Sequence, residues 1–594
     1  MQIYQSFREQ HTADYEKLDT QYNLISAGRL LLAIIFIVAT YYYIKSHQAF
    51  LLALSLLAFV AFAVLMRLHP KISRAKLLKK ALIDINNNEL SYLQQQSIPF
   101  ANGDEHNKHS ENSTHFYSSD LDIFGKHSLY HHLNRTATYI GNKKLANLLL
   151  SLLPNNEIIN NQAAIKELAE NITWRQDLLA FATVSNDNKS VYEQLLAWAS
   201  SKSEETSNWI TVVSYLLPTI FVVLLVLSIV LQDTLFAKFA FGAFLANLGV
   251  FRSQAHKLQN EAINANNIHQ IISQYSLVIE KIEQTNFSSA KLNALKAQLN
   301  YQSGAVSQQI QRVAELFSGI ESAQNGLVLL LANGTCLYHL HILRALLKWK
   351  TAYAQQISTW LDVIGEFEAL GSLANFAYNN PQFTYPTLNT QLQISFTNLG
   401  HPLIVAPKRI CNNVDFNNNR FIILTGSNMS GKSTFLRTLG INMVLLGIGA
   451  PVCASNANAH PLSVIVSMRL SDSLTENESY FFAEVKRLKQ IMQQLDTQVC
   501  FVLLDEILRG TNSDDKRSGT IGFLKKIIAK QAIGAIATHD LEVCETTNQY
   551  PNVLVNKCFE VDIINNELVF DYKLRNGICK NKSATFLMKK MDII

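Results

Sequence analysis

The stretch FIILTGSNMSGKSTFLRTLG, residues 421–440, decides how the chain is read. Phe421 to Leu424 are apolar and predict a buried strand. Gly426-Ser427-Asn428-Met429-Ser430-Gly431-Lys432-Ser433 then fits G-x-x-x-x-G-K-S/T at every position. Phe435, Leu436, Leu439 and Met443 follow at helical spacing. Phosphate binding needs this order of elements. Gly426 and Gly431 let the backbone aim its N–H groups at phosphate oxygens, and the helix N-terminus adds the positive end of its dipole. Lys432 supplies a point charge for the β- and γ-phosphates of ATP, and the Ser433 hydroxyl is placed to ligate Mg²⁺. A chance glycine turn is the alternative, and the flanking strand and helix argue against it.

Two more strand ends follow in the order such a site requires. Val499–Leu504 reads as a buried strand ending in Asp505-Glu506. Asp505 is placed to hold Mg²⁺, directly or through water, and Glu506 to take a proton from an attacking water. An acidic pair after a strand also serves as a helix N-cap, but the upstream glycine loop favours catalysis. Ile533–Ala537 is a third strand and ends in Thr538-His539-Asp540. At the C-terminal end of a parallel strand, His539 is placed to sense a γ-phosphate.

Outward from this core, the 594 residues predict roughly three to five domains or segments. The net charge of +5 permits a nucleic acid or an anionic lipid as partner and demands neither. Seven scattered cysteines without a C-x-x-C pair point to a reducing compartment without structural zinc. The first apolar run begins at Leu30, with no small-residue cleavage site after it, which argues against a cleavable leader.

Apolar runs come in two pairs. Leu30–Ile44 and Ala49–Met66 flank the minimal turn Ser46-His47-Gln48. Trp209–Leu231 and Leu235–Phe251 flank Gln232-Asp233-Thr234. A bilayer core takes about 20 apolar residues, which the third run satisfies comfortably and the first only if its tyrosines lie in the interface. Buried core helices are the alternative. Arg29 before the first pair, Arg67, Lys71, Arg74, Lys76, Lys79 and Lys80 after it, and Arg252 and Lys257 after the second favour membrane hairpins. The positive-inside rule then places all large soluble parts in the cytoplasm, on a multi-pass protein of the inner membrane. Residues 101–119 are polar without apolar periodicity and predict a mobile loop. His106, His109 and His115 within it fit no metal-ligand spacing. Residues 120–205 and 255–378 carry helical periodicity, including Ile268–Ile282 and Leu327–Trp349, before short strands begin near 391.

TGSNMSGKST (425–434), SDSLTENESYFFAEVKRL (471–488), LLDEILRGTNS (503–513) and ATHD (537–540) together resemble the MutS family of DNA mismatch-repair ATPases, within the ABC-type ATPase class. LDIFGKHSLYHHLNRTATYIGNKKLANLLLSLL (121–153), LGHPLI (399–404) and YKLRNGICKNKSATFLMKKM (572–591) extend the resemblance. It implies that Gly426 through Thr434 cradle ATP, Asn428 among the phosphate-facing residues. It implies Mg²⁺ at Ser433 and Asp505, water activation by Glu506, and His539 as a switch histidine. Ser479 matches the signature serine that reaches the partner subunit's γ-phosphate, and Glu484 an acidic residue of the same motif. The implied fold is an α/β P-loop ATPase domain preceded by an all-α lever domain, with the two transmembrane hairpins added.

The expected division is a cytoplasmic segment (1–27), hairpin one (28–68), a basic flank and loop (69–119), helical core (120–205), hairpin two (207–252), helical levers (253–380) and the ATPase domain (381–594). The family's repair enzymes begin with a mismatch-reading domain carrying Phe-x-Glu. Here only 119 residues precede the helical core, so that domain is expected to be missing and Phe7-Arg8-Glu9 to be a coincidence. The implied activity is a homodimeric, membrane-anchored ATPase acting on DNA. The competing reading is a membrane-remodelling or transport-linked ATPase with no DNA role, against which stands the absence of L-S-G-G-Q.

Overall fold

The computed structural model describes residues 1–110, 115–185, 187–202, 207–261, 268–301, 304–468, 480–564, 567–579 and 588. Its N-terminal part is one antiparallel pair of 45-residue helices, Gln2–Ser46 and Ala49–Leu93. At 1.5 Å per residue each runs about 70 Å. The reversal is made by His47, left-handed at φ 53°, whose N–H closes on Tyr43 O at 2.8 Å. Near the turn the seam is made of small groups, with Ala39 and Ala58 buried and Thr40 Oγ1 2.8 Å from Ser55 Oγ. The outward side chains there are apolar and exposed, Ile37 at 64% and Leu57 at 68%. Far from the turn the pair becomes polar, and Lys76 bonds Asp19 while Lys79 lies 2.9 Å from Asp14.

The helices run unbroken past residues 27 and 69. The polar flanks are continuations of the apolar helices, because neither flank carries a break strong enough to end them. Pro70 is accommodated inside the second helix.

The polar stalk docks on the helical core through a buried cluster. Glu89 and Arg135 form an ion pair with side chains 4% and 6% exposed. Asn375 Nδ2 and Asn379 Nδ2 donate to the Glu89 carboxylate at 3.0 and 3.2 Å. Tyr4 OH donates to Asn379 Oδ1 at 2.9 Å. Both asparagines belong to Ile357–Asn379, the spine of the core, whose Trp360, Phe367 and Leu373 are fully buried. That helix runs directly into the C-terminal domain.

Two further differences concern loops and helices. Asp104–Ser110 is a helix where a mobile loop was expected. His106 packs edge-on to Tyr130, and His115 contacts Leu150 O at 3.2 Å, so neither is simply solvated. Leu327–Trp349 is not one helix. It splits into Gly326–Cys336 and Tyr338–Tyr353 at Leu337, which is left-handed at φ 51°. Leu337 is completely buried, so the core holds the bend that periodicity could not reveal.

Asn208–Leu231 and Thr234–Glu261 form the second long hairpin, reversed at Gln232 with φ 52°. Among the described residues four helices are long and apolar enough to cross a membrane, or five if the bent pair Gly326–Cys336 and Tyr338–Asn379 counts as one span.

The C-terminal domain is built on a six-stranded sheet in the order Leu574–Asn576, Leu554–Phe559, Phe421–Gly426, Ile533–Ala537, Cys500–Asp505, Ser463–Ser467. All neighbours are parallel except the first pair. The strand Phe421–Gly426 is buried at every residue, as the continuous apolar run requires of a central parallel strand. A second sheet, Thr387–Leu388, Asn456–Ala459, Ile394–Leu399 and Asn412–Asp415, roofs one side.

Candidate functional site

The C-terminal ends of three adjacent strands converge. Phe421–Gly426 delivers the glycine-rich loop, Cys500–Asp505 the acidic pair, and Ile533–Ala537 the segment Thr538-His539. The loop closes on the helix Lys432–Gly447. Gly431 needs its lack of a side chain, having φ 99° and Tyr572 3.0 Å from where a Cβ would stand. At Gly426 a Cβ would meet Ser430 Oγ at 2.6 Å and Phe559 O at 3.0 Å. Met429 is left-handed at φ 68° and its side chain is exposed.

Lys432 folds back into this loop. Its ammonium donates to Gly426 O at 2.9 Å and Ser427 O at 3.0 Å, and lies 3.2 Å from His539 Nε2. Ser433 Oγ donates to Asp505 Oδ2 at 2.6 Å, so two oxygen donors suited to Mg²⁺ already sit together. His539 Nε2 is 2.8 Å from Glu506 Oε1. The histidine's hydrogen bond, its charge, Arg509 and Lys432 hold the Glu506 carboxyl down at about 2 against the opposing effect of burial. Burial pushes the Lys432 ammonium below its ordinary value, while Glu506 and Asp505 pull it back up.

A cavity of about 720 Å³ opens over these groups. Asn428 through Thr434, Asp505 and Glu506 form its floor. The hydroxyls of Ser427 and Ser430 are buried in the loop with no hydrogen-bond partner. Unpaired buried hydroxyls are costly unless a ligand satisfies them, and phosphate oxygens are the acceptors that fit this loop. Residues that could hold ATP and Mg²⁺ are therefore assembled.

Several lining residues escaped the sequence reading. His401, Ile404, Lys408 and Ile410 come from the segment beside the roofing sheet, and Tyr572 from far downstream. Burial, with Arg437 and Arg409 nearby, pushes His401 down to about 4, so it is neutral at pH 7. Arg509 Nε donates to Glu506 O and its Nη2 to Asp505 O, each at 2.9 Å. Its signal was present, three residues past Glu506 in the quoted LLDEILRG. Tyr572 opens the quoted segment 572–591, but its place at the cavity depends on Asn412, whose side chain donates to its carbonyl at 3.0 Å.

Ser479 lies outside the described residues. The helix after it, Tyr480–Leu495, is described, and Glu484 within it is buried. The Glu484 carboxylate accepts the N–H groups of Leu508 at 2.5 Å and Arg509 at 3.0 Å. It thereby ties this helix to the loop that carries Glu506. Glu506 and Leu508 are both left-handed, at φ 50° and 61°, so the loop is held in a strained shape.

Residues 422–591 match the model of MutS domain V. Human MutS protein homolog 4 is 30% identical over 194 residues, 31% of this chain and 20% of that protein. The DNA mismatch repair protein MSH3 of Candida albicans is 30% identical over 245 residues, 38% of this chain and 23% of the relative. The DNA mismatch repair protein MutS of Finegoldia magna is 30% identical over 226 residues, 36% of this chain and 26% of the relative. The chain thus matches only about a fifth to a quarter of the length of these relatives. Its C-terminal region is MutS-like.

Proposed function

We propose that the protein is a membrane-anchored, MutS-like ATPase that works as a dimer on DNA. One observation carries the nucleotide part: Lys432, Ser433, Asp505, Glu506 and His539 meet above one parallel sheet, around a loop with two orphaned hydroxyls. DNA enters from the names of relatives, which call them DNA mismatch repair proteins. The anchor enters from four long apolar helices with exposed side chains. Their flanking Lys and Arg support a topology with the soluble parts on the cytoplasmic side of an inner membrane.

In this mechanism Lys432 leaves the carbonyls of Gly426 and Ser427 to face the β/γ-phosphates. Ser433 and Asp505 would hold Mg²⁺, which would supply neutralisation of the developing phosphate charge. Glu506 accepts the proton of the attacking water. Bonded to His539, with its pKa held down at about 2, it is a poor base. When the γ-phosphate draws His539 away, the carboxylate regains basicity. The resting pair thus restrains hydrolysis until nucleotide arrives. Ser479 of one subunit completes the partner's site, and Glu484 passes that event to the Glu506 loop.

Lys432→Ala should abolish tight ATP binding. Glu506→Gln should keep binding and slow hydrolysis by about 10²–10⁴-fold, the range for a general base. Normal turnover by Glu506→Gln would remove it from this role. Retention on duplex DNA that falls steeply with salt separates the DNA reading from a membrane-remodelling ATPase.

A further inference from the structure

The short helix Gly326–Cys336 is not used by the site above and has an unusual surface. Its sequence, Gly-Leu-Val-Leu-Leu-Leu-Ala-Asn-Gly-Thr-Cys, has no charged residue. Eleven residues make about 16 Å, half of a bilayer core of roughly 30 Å. An apolar segment of this length reads as a buried core helix or as a re-entrant or interfacial membrane segment. It is not a core helix, since Leu327 is 66%, Leu331 50% and Leu330 44% exposed.

We infer that Gly326–Cys336 is a half-membrane helix whose leucine face lies in the acyl chains of one lipid leaflet. The inference rests on the membrane reading of the second hairpin, against which this helix is seated. Asn247 Nδ2 of that hairpin donates to Gly334 O at 2.8 Å. Phe244 lies so near Gly334 that a Cβ there would stand 2.1 Å from its ring. The exposed leucines therefore continue the apolar surface of Phe241 and Leu245, exposed on the same hairpin helix.

The polar groups of the short helix suit a site without water. Thr335 Oγ1 donates to Leu331 O, and Cys336 Sγ to Ala332 O. Asn333 Nδ2 donates to Leu329 O, and its Oδ1 accepts the N–H of His339. Each side-chain donor is satisfied inside the helix or at its bend, as hydrocarbon demands. The chain then turns by 86° at Leu337. Tyr338, exposed, follows the turn, and Arg252 is exposed on the neighbouring helix, five residues past Asn247. An aromatic and a basic collar is what an anionic headgroup layer takes.

The test uses the full-length protein in vesicles of phosphatidylcholine and phosphatidylglycerol. Single bimane labels are placed in a cysteine-free background, checked for ATP hydrolysis, at Leu331→Cys, Val226→Cys and Glu193→Cys. Doxyl-lipid should quench Leu331→Cys as strongly as Val226→Cys in the second hairpin, and aqueous iodide should quench only Glu193→Cys. Iodide quenching at Leu331→Cys with lipid quenching at Val226→Cys would overturn this inference and leave the anchor standing. Iodide quenching at both would overturn the anchor itself. Shielding of Leu331→Cys from both quenchers, with crosslinks between two copies, would give the face to a second subunit. Alkylation of native Cys336, resolved by peptide mass, needs no substitution. It should resist a water-soluble maleimide in vesicles and react in detergent, and ready reaction in vesicles would contradict the inference.

Discussion

Glu506 stands under two demands, ionisation and restraint. Its carboxyl lies at about 2 in the folded protein, below the ordinary 4.5, chiefly because His539 donates to it. A depressed acid stabilises the fold where it is ionised in both states. That contribution is complete above pH 4.5 and disappears as pH falls toward 2. The thermal midpoint of the native protein in detergent should therefore exceed that of Glu506→Gln at pH 5, and the gap should close as pH falls below about 4.5. A gap that widened on acidification would reverse the assignment. Lys432, Asp505, Glu506 and His539 were legible in the sequence because each sits at a fixed offset from the end of an apolar strand. His401 and Tyr572 were not, since their place at the cavity is set by packing between segments far apart in the chain.

Between residue and domain, Glu484 and Glu89 act as fasteners of different kinds. Glu484 joins the helix Tyr480–Leu495 to the loop after Glu506 through two N–H bonds. Glu484→Ala should leave ATP binding near normal and lower kcat by about tenfold or more, since a general base must stay within hydrogen-bond reach of its water. A fall in ATP affinity with kcat preserved would show that the tie shapes the binding loop instead. Glu89 fastens the stalk to the spine helix. Glu89→Ala would strand the buried Arg135 and should cost about 3–5 kcal/mol, whereas Glu89→Leu with Arg135→Met should recover most of it. Comparative melting in detergent reads both. Hairpins were readable because apolar length and a two- or three-residue turn are local signals. The stalks were not, because their pairing relies on contacts such as Lys79 with Asp14, 65 residues away. Nor was the bend at Leu337, which the core imposes on a residue with no turn preference.

At the scale of the molecule, the stalk of the first hairpin is fastened to the spine helix, which leads in sequence into the C-terminal domain. The protein should resist extraction by high salt or alkaline carbonate and require detergent, because exposed apolar helices of this length cannot be solvated in water. How such a machine would meet DNA follows from its charge. Cations are spread over the chain and many are already engaged. Lys79 bonds Asp14, Lys281 bonds Asp177 and Lys291 bonds Glu157. In the densest basic run, Arg67–Lys80, Lys76 and Lys79 pair with Asp19 and Asp14 of the partner helix, and Arg74 donates to Ser273 O. Mismatch reading demands more than charge. An apolar wedge must enter the minor groove and kink the duplex at a weak step, while a second surface holds the DNA against it. A chain with dispersed cations supplies the sequence-independent part of that energy alone. Binding should be weak to moderate, fall steeply with salt, and be nearly equal for a homoduplex and a single-mismatch duplex. Competition between the two duplexes near physiological salt measures this directly. A preference above about tenfold, roughly 1.4 kcal/mol, would mean that some part of the chain does read the mismatch.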